Sequence, residues 1–353
     1  FAPGRLSFLN PAYLLRLSRF LRRQGVDTLI MNLPSDLKAA GLAALRAGVK
    51  HIVYRRGSDL PVHDSLFNRF LYGRVITRLI VNSEATLRSV LARNPELVDA
   101  GRVSVLPNGI DCAAFDTALA AALAARASLR ADRAQGAVHS DRPGGRASPN
   151  ADEGPHPAPE VFVIGNAGRL DRQKGQDFLL HLAHSLKNAA FPFRLVIAGA
   201  GRREAALKAL AAELGVDDEV RFTGFMENLA PFWAEIDLFM LSSLWEGFGS
   251  VVLEAGLAQK PVFAFNVSNL PELIAEGENG RLFPLPANGA DAADAVARAV
   301  IKAAGNPEEL RRMGRRGREL ALNYSQEACM DALLRLMPDM CATRGNTAAT
   351  PCM

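Results

Sequence analysis

Twice along this chain, short apolar runs of strand length alternate with stretches whose apolar residues recur at helical spacing. In the first series, residues 27–33, 51–54, 79–82 and 103–106 read as strands. Helical patterns lie between them: 10–25, an Ala/Leu-rich stretch stopped by Gly48, 67–76, and one opening at Ser83-Glu84-Ala85-Thr86. In the second series the strands are 161–165, 193–198, 220–222, 237–241, 261–265 and 280–283. The helices are 175–190, 204–214, 229–234, 291–304, 307–322 and 325–337. Strands separated by helices must pair in parallel, because the helix carries the chain back across the sheet. The expected fold is therefore α/β with two parallel-sheet domains, the first thin for a doubly wound sheet with four strands.

Local chemistry sharpens these elements. The pattern at 10–25 places Tyr13, Leu14, Leu17, Phe20 and Leu21 inward and Arg16, Arg19, Arg22 and Arg23 outward, with Gly25 as the stop. Ser35 or Asp36 is the expected cap of the second helix, and Ser83 or Asn82 that of the helix after residue 82. Arg55-Arg56-Gly57-Ser58-Asp59 is expected as a loop, and Pro107-Asn108-Gly109 as a turn.

The two series are separated by a change of texture. An Ala/Arg-rich helical piece passes into residues 136–160, dense in Gly, Pro, Ser, Asp and His and almost without apolar side chains. Such a segment buries too little surface to order itself. The expected division is an N-terminal domain over 1–116, a flexible linker or insertion over 117–160, a C-terminal domain over 161–324, and a final helix with a polar tail over 325–353, packing back towards the N-terminal domain. His139 and His156 fall in the linker, where solvent exposure is the default.

A chain of 353 residues is long enough for two cores. Its 49% hydrophobic and 22% charged residues describe a folded globular protein rather than a disordered one. No apolar run is expected to reach the roughly 20 residues of a membrane span, and no signal-peptide pattern opens the chain. Cys112, Cys329, Cys341 and Cys352 lack metal-ligand spacing, so no metal site is expected and a reducing compartment is the simplest setting. The formal charge of +4 fits an acidic substrate or an anionic membrane surface as well as ordinary solubility. No basic stripe interleaved with aromatics is present, so nucleic-acid binding is not expected.

Three groups could carry chemistry. The first is the stretch from Ser242 to Ala255, a turn between a buried strand and an Ala-rich helix, bearing Glu246 and Glu254. Free N–H groups and the helix dipole converge on such a turn and favour an anion, while carboxylates favour hydroxyls. The second is Gly168-Arg169-Leu170-Asp171-Arg172-Gln173-Lys174-Gly175, which puts two cations, Arg169 and Lys174, at the carboxyl end of a strand. That edge is where open α/β sheets hold ligands. The third, Gly199-Ala200-Gly201, lacks the third glycine of a dinucleotide fingerprint and reads as a tight turn with close backbone approach. Carboxylates, cations and strand-end glycines together point to a nucleotide carrying a sugar.

Gly168-Arg169-Leu170 with Lys174-Gly175, and Glu246-Gly247-Phe248-Gly249-Ser250 with Glu254-Ala255, resemble the paired motifs of retaining glycosyltransferases of the GT-B fold, in glycosyltransferase family 4. Pro107-Asn108-Gly109-Ile110-Asp111, Pro271-Glu272 and Glu278-Asn279-Gly280 extend the resemblance. It implies two Rossmann-like domains facing a cleft, the C-terminal one holding a UDP-, GDP- or ADP-linked sugar as substrate, with no cofactor and no metal. By motif matching, Arg169 and Lys174 hold the diphosphate, Glu254 the ribose and Glu246 a hydroxyl of the transferred sugar. Gly168 and the backbone of Phe248, Gly249 and Ser250 face sugar or phosphate, and Phe225 and Met226 the base.

Three departures qualify what the resemblance implies. The opening strand and glycine-rich loop of such enzymes have no counterpart after Phe1, which implies that about 60 residues, two βα units of about 30 each, are missing. Arg56 stands where a cleft histidine is usual and is the expected cleft-facing group, ahead of His51 and His63. Ser268-Asn269 replaces the usual glycine pair before Pro271. The expected activity is retaining, metal-independent sugar transfer to a glycan or lipid-linked acceptor in bacterial cell-surface polysaccharide or lipopolysaccharide synthesis. The expected setting is the cytoplasm, with peripheral contact to anionic membrane through the basic helix at Arg16–Arg23. The alternatives are a nucleotide-sugar-binding module without transfer, or a GT-B nucleotide-sugar epimerase.

Overall fold

A computed structural model describes residues 7–138, 161–287 and 289–336. The chain divides into two compact units. Unit 1 holds the described residues up to Gly109, the short segment Glu246–Gly249, and those from Tyr324 on. Unit 2 holds the described residues of Ile110–Trp245 and Ser250–Asn323.

Unit 1 is built on four parallel strands in the order β1-β2-β3-β4: β1 Thr28–Met31, β2 His51–Arg56, β3 Arg78–Val81 and β4 Val103–Val105. Ile52, Tyr54, Leu79 and Val81 project from them into one core with Leu71, Val75 and Val90 from the helices. β2 runs two residues past the expected strand because Arg55 and Arg56 stay in register with Ile80 and Val81. Those two arginines are therefore strand residues, not loop residues.

The helix Pro11–Arg23 is capped by Asn10, whose side chain accepts from the Tyr13 N–H at 3.1 Å. Its buried residues are Leu17, Ser18 and Leu21, whereas Phe20, expected inward, is 43% exposed. Leu14, Leu17, Ser18 and Leu21 form an i, i+3, i+4, i+7 stripe, and Phe20 falls outside it. The second helix starts at Pro34 after Leu33 with no side-chain cap, so neither Ser35 nor Asp36 has the expected role. Proline at the first helical position presets the backbone there. Ser83 caps the helix Glu84–Leu91, accepting from the Thr86 N–H at 3.0 Å. The helix Gln326–Leu336 lays Ala332, Leu333 and Leu336 on Val53, Ile80 and Leu106.

Unit 2 has six parallel strands: β5 Phe162–Ala167, β6 Phe193–Ala198, β7 Val220–Gly224, β8 Leu238–Leu241, β9 Val262–Phe265 and β10 Gly280–Phe283. Their order is β10-β9-β8-β5-β6-β7. The chain builds outward from β5 in one direction, then returns to start the other half at β8. β5 and β8 thus flank the point where the winding reverses. On one face, Phe178, Leu179, Leu182 and Leu186 of the helix Gln176–Asn188 pack with Val296, Ala297 and Val300 of the helix Gly289–Ala304. On the other, the helices Ser250–Leu257 and Pro307–Leu322 touch through glycines: a Cβ on Gly256 would lie 2.6 Å from the Gly317 carbonyl oxygen.

The helix Cys112–Val138 groups with unit 2 and runs through the first part of the span expected as linker. Its Arg126 donates to the Ala234 carbonyl, and its Asp116 pairs with Arg318 at 2.6 Å. The window Cys112–Leu129, rich in alanine, is long and apolar enough to cross a membrane by length and composition alone, contrary to the expectation that no run reaches that length. His139 and His156 lie outside the described residues.

Candidate functional site

Ligands of open α/β sheets sit beyond the carboxyl ends of the strands, at the point where the winding reverses. In unit 2 those loops are the one after β5, Gly168 to Gly175, and the one after β8, from Ser242 to Trp245. Both stand among the three groups singled out from residue chemistry.

The loops are tied to each other mainly through backbone. Ser242 Oγ donates to the Lys174 carbonyl at 2.9 Å, the Leu244 N–H to the Gln173 carbonyl at 2.8 Å, and Gln173 Nε2 to the Trp245 carbonyl at 2.9 Å. Gly175 has φ +59°, and a Cβ there would overlap the Ser242 carbonyl oxygen. Glycine is required on both counts, left-handed backbone and close approach. Below the loops, Asn166 Nδ2 on β5 donates to the Met240 carbonyl on β8 at 2.8 Å.

The third group braces the first from the other side. Gly168 N–H donates to the Ala198 carbonyl at 2.9 Å, Leu170 N–H to the Ala200 carbonyl at 3.0 Å, and Arg203 N–H to the Leu170 carbonyl at 3.1 Å. A Cβ on Gly199 would overlap the Gly168 carbonyl oxygen, and one on Gly201 that of Leu170. The Gly-Ala-Gly turn is therefore a bracket for the cation loop, as close backbone approach requires.

On this scaffold the Arg169 side chain is 74% exposed, 3.2 Å from the Asp171 carboxylate and 3.3 Å from Gln173 Oε1. Its own carbonyl is held by Gln176 Nε2 at 2.9 Å, and Gln176 is completely buried. Lys174 is half-buried, its aliphatic stem lying against Gly168. Asp171 closes the turn between them by accepting the Lys174 N–H at 3.3 Å.

Glu254 lies in the helix Ser250–Leu257 and is half-buried. The buried Trp233 indole donates to its Oε2 at 3.3 Å. Burial raises the Glu254 pKa, and the indole hydrogen bond opposes that rise. One oxygen is thus held by protein. Ser250, the first residue of that helix, is exposed. Beyond β7, Phe225 is 79% exposed and Met226 half-buried, after Gly224 whose carbonyl accepts the Gly199 N–H at 2.8 Å.

The remaining expected site residues belong to unit 1. Glu246 is 5% exposed, and Phe248 is buried with its ring edge-on to Tyr324 at 6.1 Å. Gly249 takes φ +72°. Glu246 belongs to unit 1 and Glu254 to unit 2. Arg56 ends β2 and is only 8% exposed. It donates to the Leu60 carbonyl and hydrogen-bonds Tyr54 and Tyr72, while its Nε has no protein partner. Burial pushes the Tyr72 phenol up to about 12 against the pull of that guanidinium. His51 is a strand residue and His63 an exposed loop residue. Ser268, at the expected glycine pair, takes φ +50°, a backbone conformation that glycine adopts without strain.

Gln173, Gln176 and Trp233 hold the loops and Glu254, and nothing in the sequence points to them. No motif marks them, since a buried amide or indole reads as core until its partner is known. Among the described residues no group of three His, Cys, Asp or Glu side chains could hold a metal ion.

Residues 150–320 match the family model described as Glycosyl transferases group 1, and residues 1–114 that described as Glycosyltransferase Family 4. The chain is 31% identical over 176 residues to the lipopolysaccharide core biosynthesis glycosyltransferase LpsE of Rhizobium meliloti, covering 50% of this chain and 49% of that protein. It is 34% identical over 216 residues to a D-inositol 3-phosphate glycosyltransferase of Saccharomonospora viridis, covering 58% of this chain and 48% of that one. The chain spans about half the length of the curated relatives it matches. Among solved structures, Anabaena Alr3699/HepE, in complex with UDP and glucose, superposes with a TM-score of 0.70 at 20% identity, covering 96% of this chain and 84% of that one. That likeness is one of fold. Together the two models match most of the chain, which is similar to GT-B glycosyltransferases of the family 4 type.

Proposed function

We propose that this chain, as a GT-B protein of the glycosyltransferase family 4 type, transfers a sugar from a nucleotide-sugar to a glycan or lipid-linked acceptor, retaining the configuration at the anomeric carbon. The observation that carries the reading is the meeting of two motif loops at the β5/β8 reversal, with Arg169 and Lys174 on one of them. A diphosphate needs cations and backbone N–H groups; a ribose needs a carboxylate with a free oxygen. Unit 2 supplies the cations on one loop and Glu254 on the helix that follows the other.

In this reading Arg169 and Lys174 neutralise the diphosphate, most strongly as it leaves, when its charge grows. Glu254 accepts from the ribose hydroxyls and Glu246 from a hydroxyl of the transferred sugar. Gly168, Gly249 and the backbone around Phe248 and Ser250 face phosphate or sugar, while Phe225 and Met226 contact the base. The C1–O bond to the diphosphate breaks, the acceptor oxygen bonds to C1 on the same face, and the acceptor proton passes to the departing phosphate oxygen. The two cations supply the charge stabilisation that a divalent metal supplies elsewhere, so chelation should leave the rate unchanged. Arg56, buried against two tyrosines, supports the acceptor side by shaping β2 rather than by touching substrate.

The relative that acts in lipopolysaccharide core biosynthesis supports a cell-surface glycan as acceptor. We place the reaction in the cytoplasm, with the helix Pro11–Arg23 touching anionic lipid through Arg16, Arg19 and Arg23.

A panel of UDP-, GDP- and ADP-sugars tests the reading by thermal shift, because a ligand that binds only the folded chain raises its apparent stability. The donor that binds is then followed by proton NMR of the anomeric signal. Stabilisation by one nucleotide series and an α-linked product from an α-linked donor are expected. A donor bound but never consumed, or an epimerised sugar formed without acceptor, would overturn the transferase reading.

A further inference from the structure

Asn82 is the residue just after β3, at a position where the sequence also admits a helix cap. It does not cap: Ser83 does. Its side chain is 2% exposed and fully engaged elsewhere. Nδ2 donates to two backbone carbonyls, that of Gly57 at 3.3 Å and that of Gly247 at 3.1 Å. Oδ1 accepts from the Thr86 hydroxyl at 2.7 Å, and the Thr86 hydroxyl accepts from Ser83 Oγ at 3.0 Å. Thr86 and Ser83 are themselves buried. The order of donors is thus set along the relay. Turning the amide over would aim Oδ1 at two carbonyl oxygens and leave them without a donor.

The glycines make this bridge possible. A Cβ on Gly247 would lie 2.7 Å from the Gly57 carbonyl oxygen, and one on Gly57 would lie 3.3 Å from Asn82 Nδ2. Two backbone segments far apart in the chain therefore approach too closely for side chains, and one amide joins both. Gly247 stands between Glu246 and Phe248, and the Phe248 ring is braced against Tyr324.

We infer that Asn82 is a positioning residue, which sets the backbone of Glu246–Gly249 and so the direction of the Glu246 carboxylate. This rests on the reading of Glu246 as the group that holds a sugar hydroxyl. Gly247 directly after Glu246 gives the backbone there little stiffness of its own, and misplacement of a site group by about 1 Å reduces turnover by about 10²-fold. Fixing the neighbouring peptide from a buried relay supplies that stiffness.

The test compares Asn82→Ala, Asn82→Asp, Thr86→Val, Thr86→Ser and Glu246→Gln. Hydrogen exchange of the unliganded protein should speed up about tenfold or more at 246–249 in Asn82→Ala, with the strands of unit 1 unchanged. Calorimetry then uses UDP-glucose and UDP as probes. Asn82→Asp keeps the acceptor to Thr86 but faces the carbonyls with oxygen, so affinity for UDP-glucose should fall about tenfold more than affinity for UDP. Thr86→Val should move in the same direction, and Thr86→Ser, which restores the hydroxyl, should return to wild type. This pair decides the matter if the Asn82 variants do not fold. Unchanged exchange at 246–249, or equal losses for UDP-glucose and UDP, overturns the inference. If Glu246→Gln binds UDP-glucose as wild type does, the reading of Glu246 fails and takes the inference with it. If Glu246→Gln loses the sugar-dependent affinity and the Asn82 and Thr86 variants keep it, the inference alone fails.

Discussion

The indole N–H of Trp233 donates to Oε2 of Glu254 at 3.3 Å, holding a half-buried carboxylate by one oxygen. Burial raises this carboxyl's pKa, and the indole pulls it down. A carboxyl raised in the folded state binds its proton more tightly there than in the unfolded chain. Its contribution to stability is therefore fully present below the unfolded pKa and is lost as pH rises through the folded value. Glu254→Gln should melt higher than wild type at pH 8 and about the same at pH 4. Trp233→Phe should raise the Glu254 pKa further, read by carboxyl NMR. In the same Glu254→Gln variant, donor affinity should fall about 10- to 100-fold, since charge-assisted hydrogen bonds are worth roughly 1.5–3 kcal/mol each.

Lys174→Ala should lower kcat by about 10²–10³-fold, the range seen when a charge-stabilising donor is removed, while calorimetric donor affinity changes far less. Turnover equal to wild type would remove Lys174 from the reaction.

Gly175→Ala combines an unfavourable φ of +59° with overlap on the Ser242 carbonyl. The strain is roughly 1–3 kcal/mol. A drop in Tm should accompany weakened donor binding, because the same contact joins the two site loops. Gly215→Ala, also at positive φ but with open space around its Cβ, is the control that should lower Tm without touching donor affinity.

Phe225→Ala should leave stability within about 0.5 kcal/mol, since the ring is 79% exposed. If the ring stacks on the base, nucleotide affinity should fall by roughly 1–3 kcal/mol. Calorimetry with the free nucleoside diphosphate reads this directly.

Replacing Arg16, Arg19 and Arg23 together by Glu should abolish co-sedimentation with vesicles containing phosphatidylserine, each basic residue near such a surface contributing about 1 kcal/mol. Vesicles of neutral lipid should bind neither form. Equal binding of both forms to anionic vesicles would sink the membrane contact.

Residue order alone determined the two α/β halves, the parallel sheets and the two motif loops of unit 2, because strand and helix periodicities are local and glycine marks where backbone must approach backbone. It also marked Arg169, Lys174 and Glu254 by charge and spacing at strand ends. Only the tertiary structure decided what depends on partners far away in the chain. Phe20 lies outside the buried stripe because the neighbours of its helix select Leu17, Ser18 and Leu21. Arg56 is a buried strand end because its register with Val81 carries β2 onward. Trp233, Gln173, Gln176 and Asn82 read in sequence as an aromatic core residue, two ordinary amides and a possible cap. Their hydrogen bonds reach Glu254, Trp245, Arg169 and Gly247, and no local pattern encodes a partner 165 residues away.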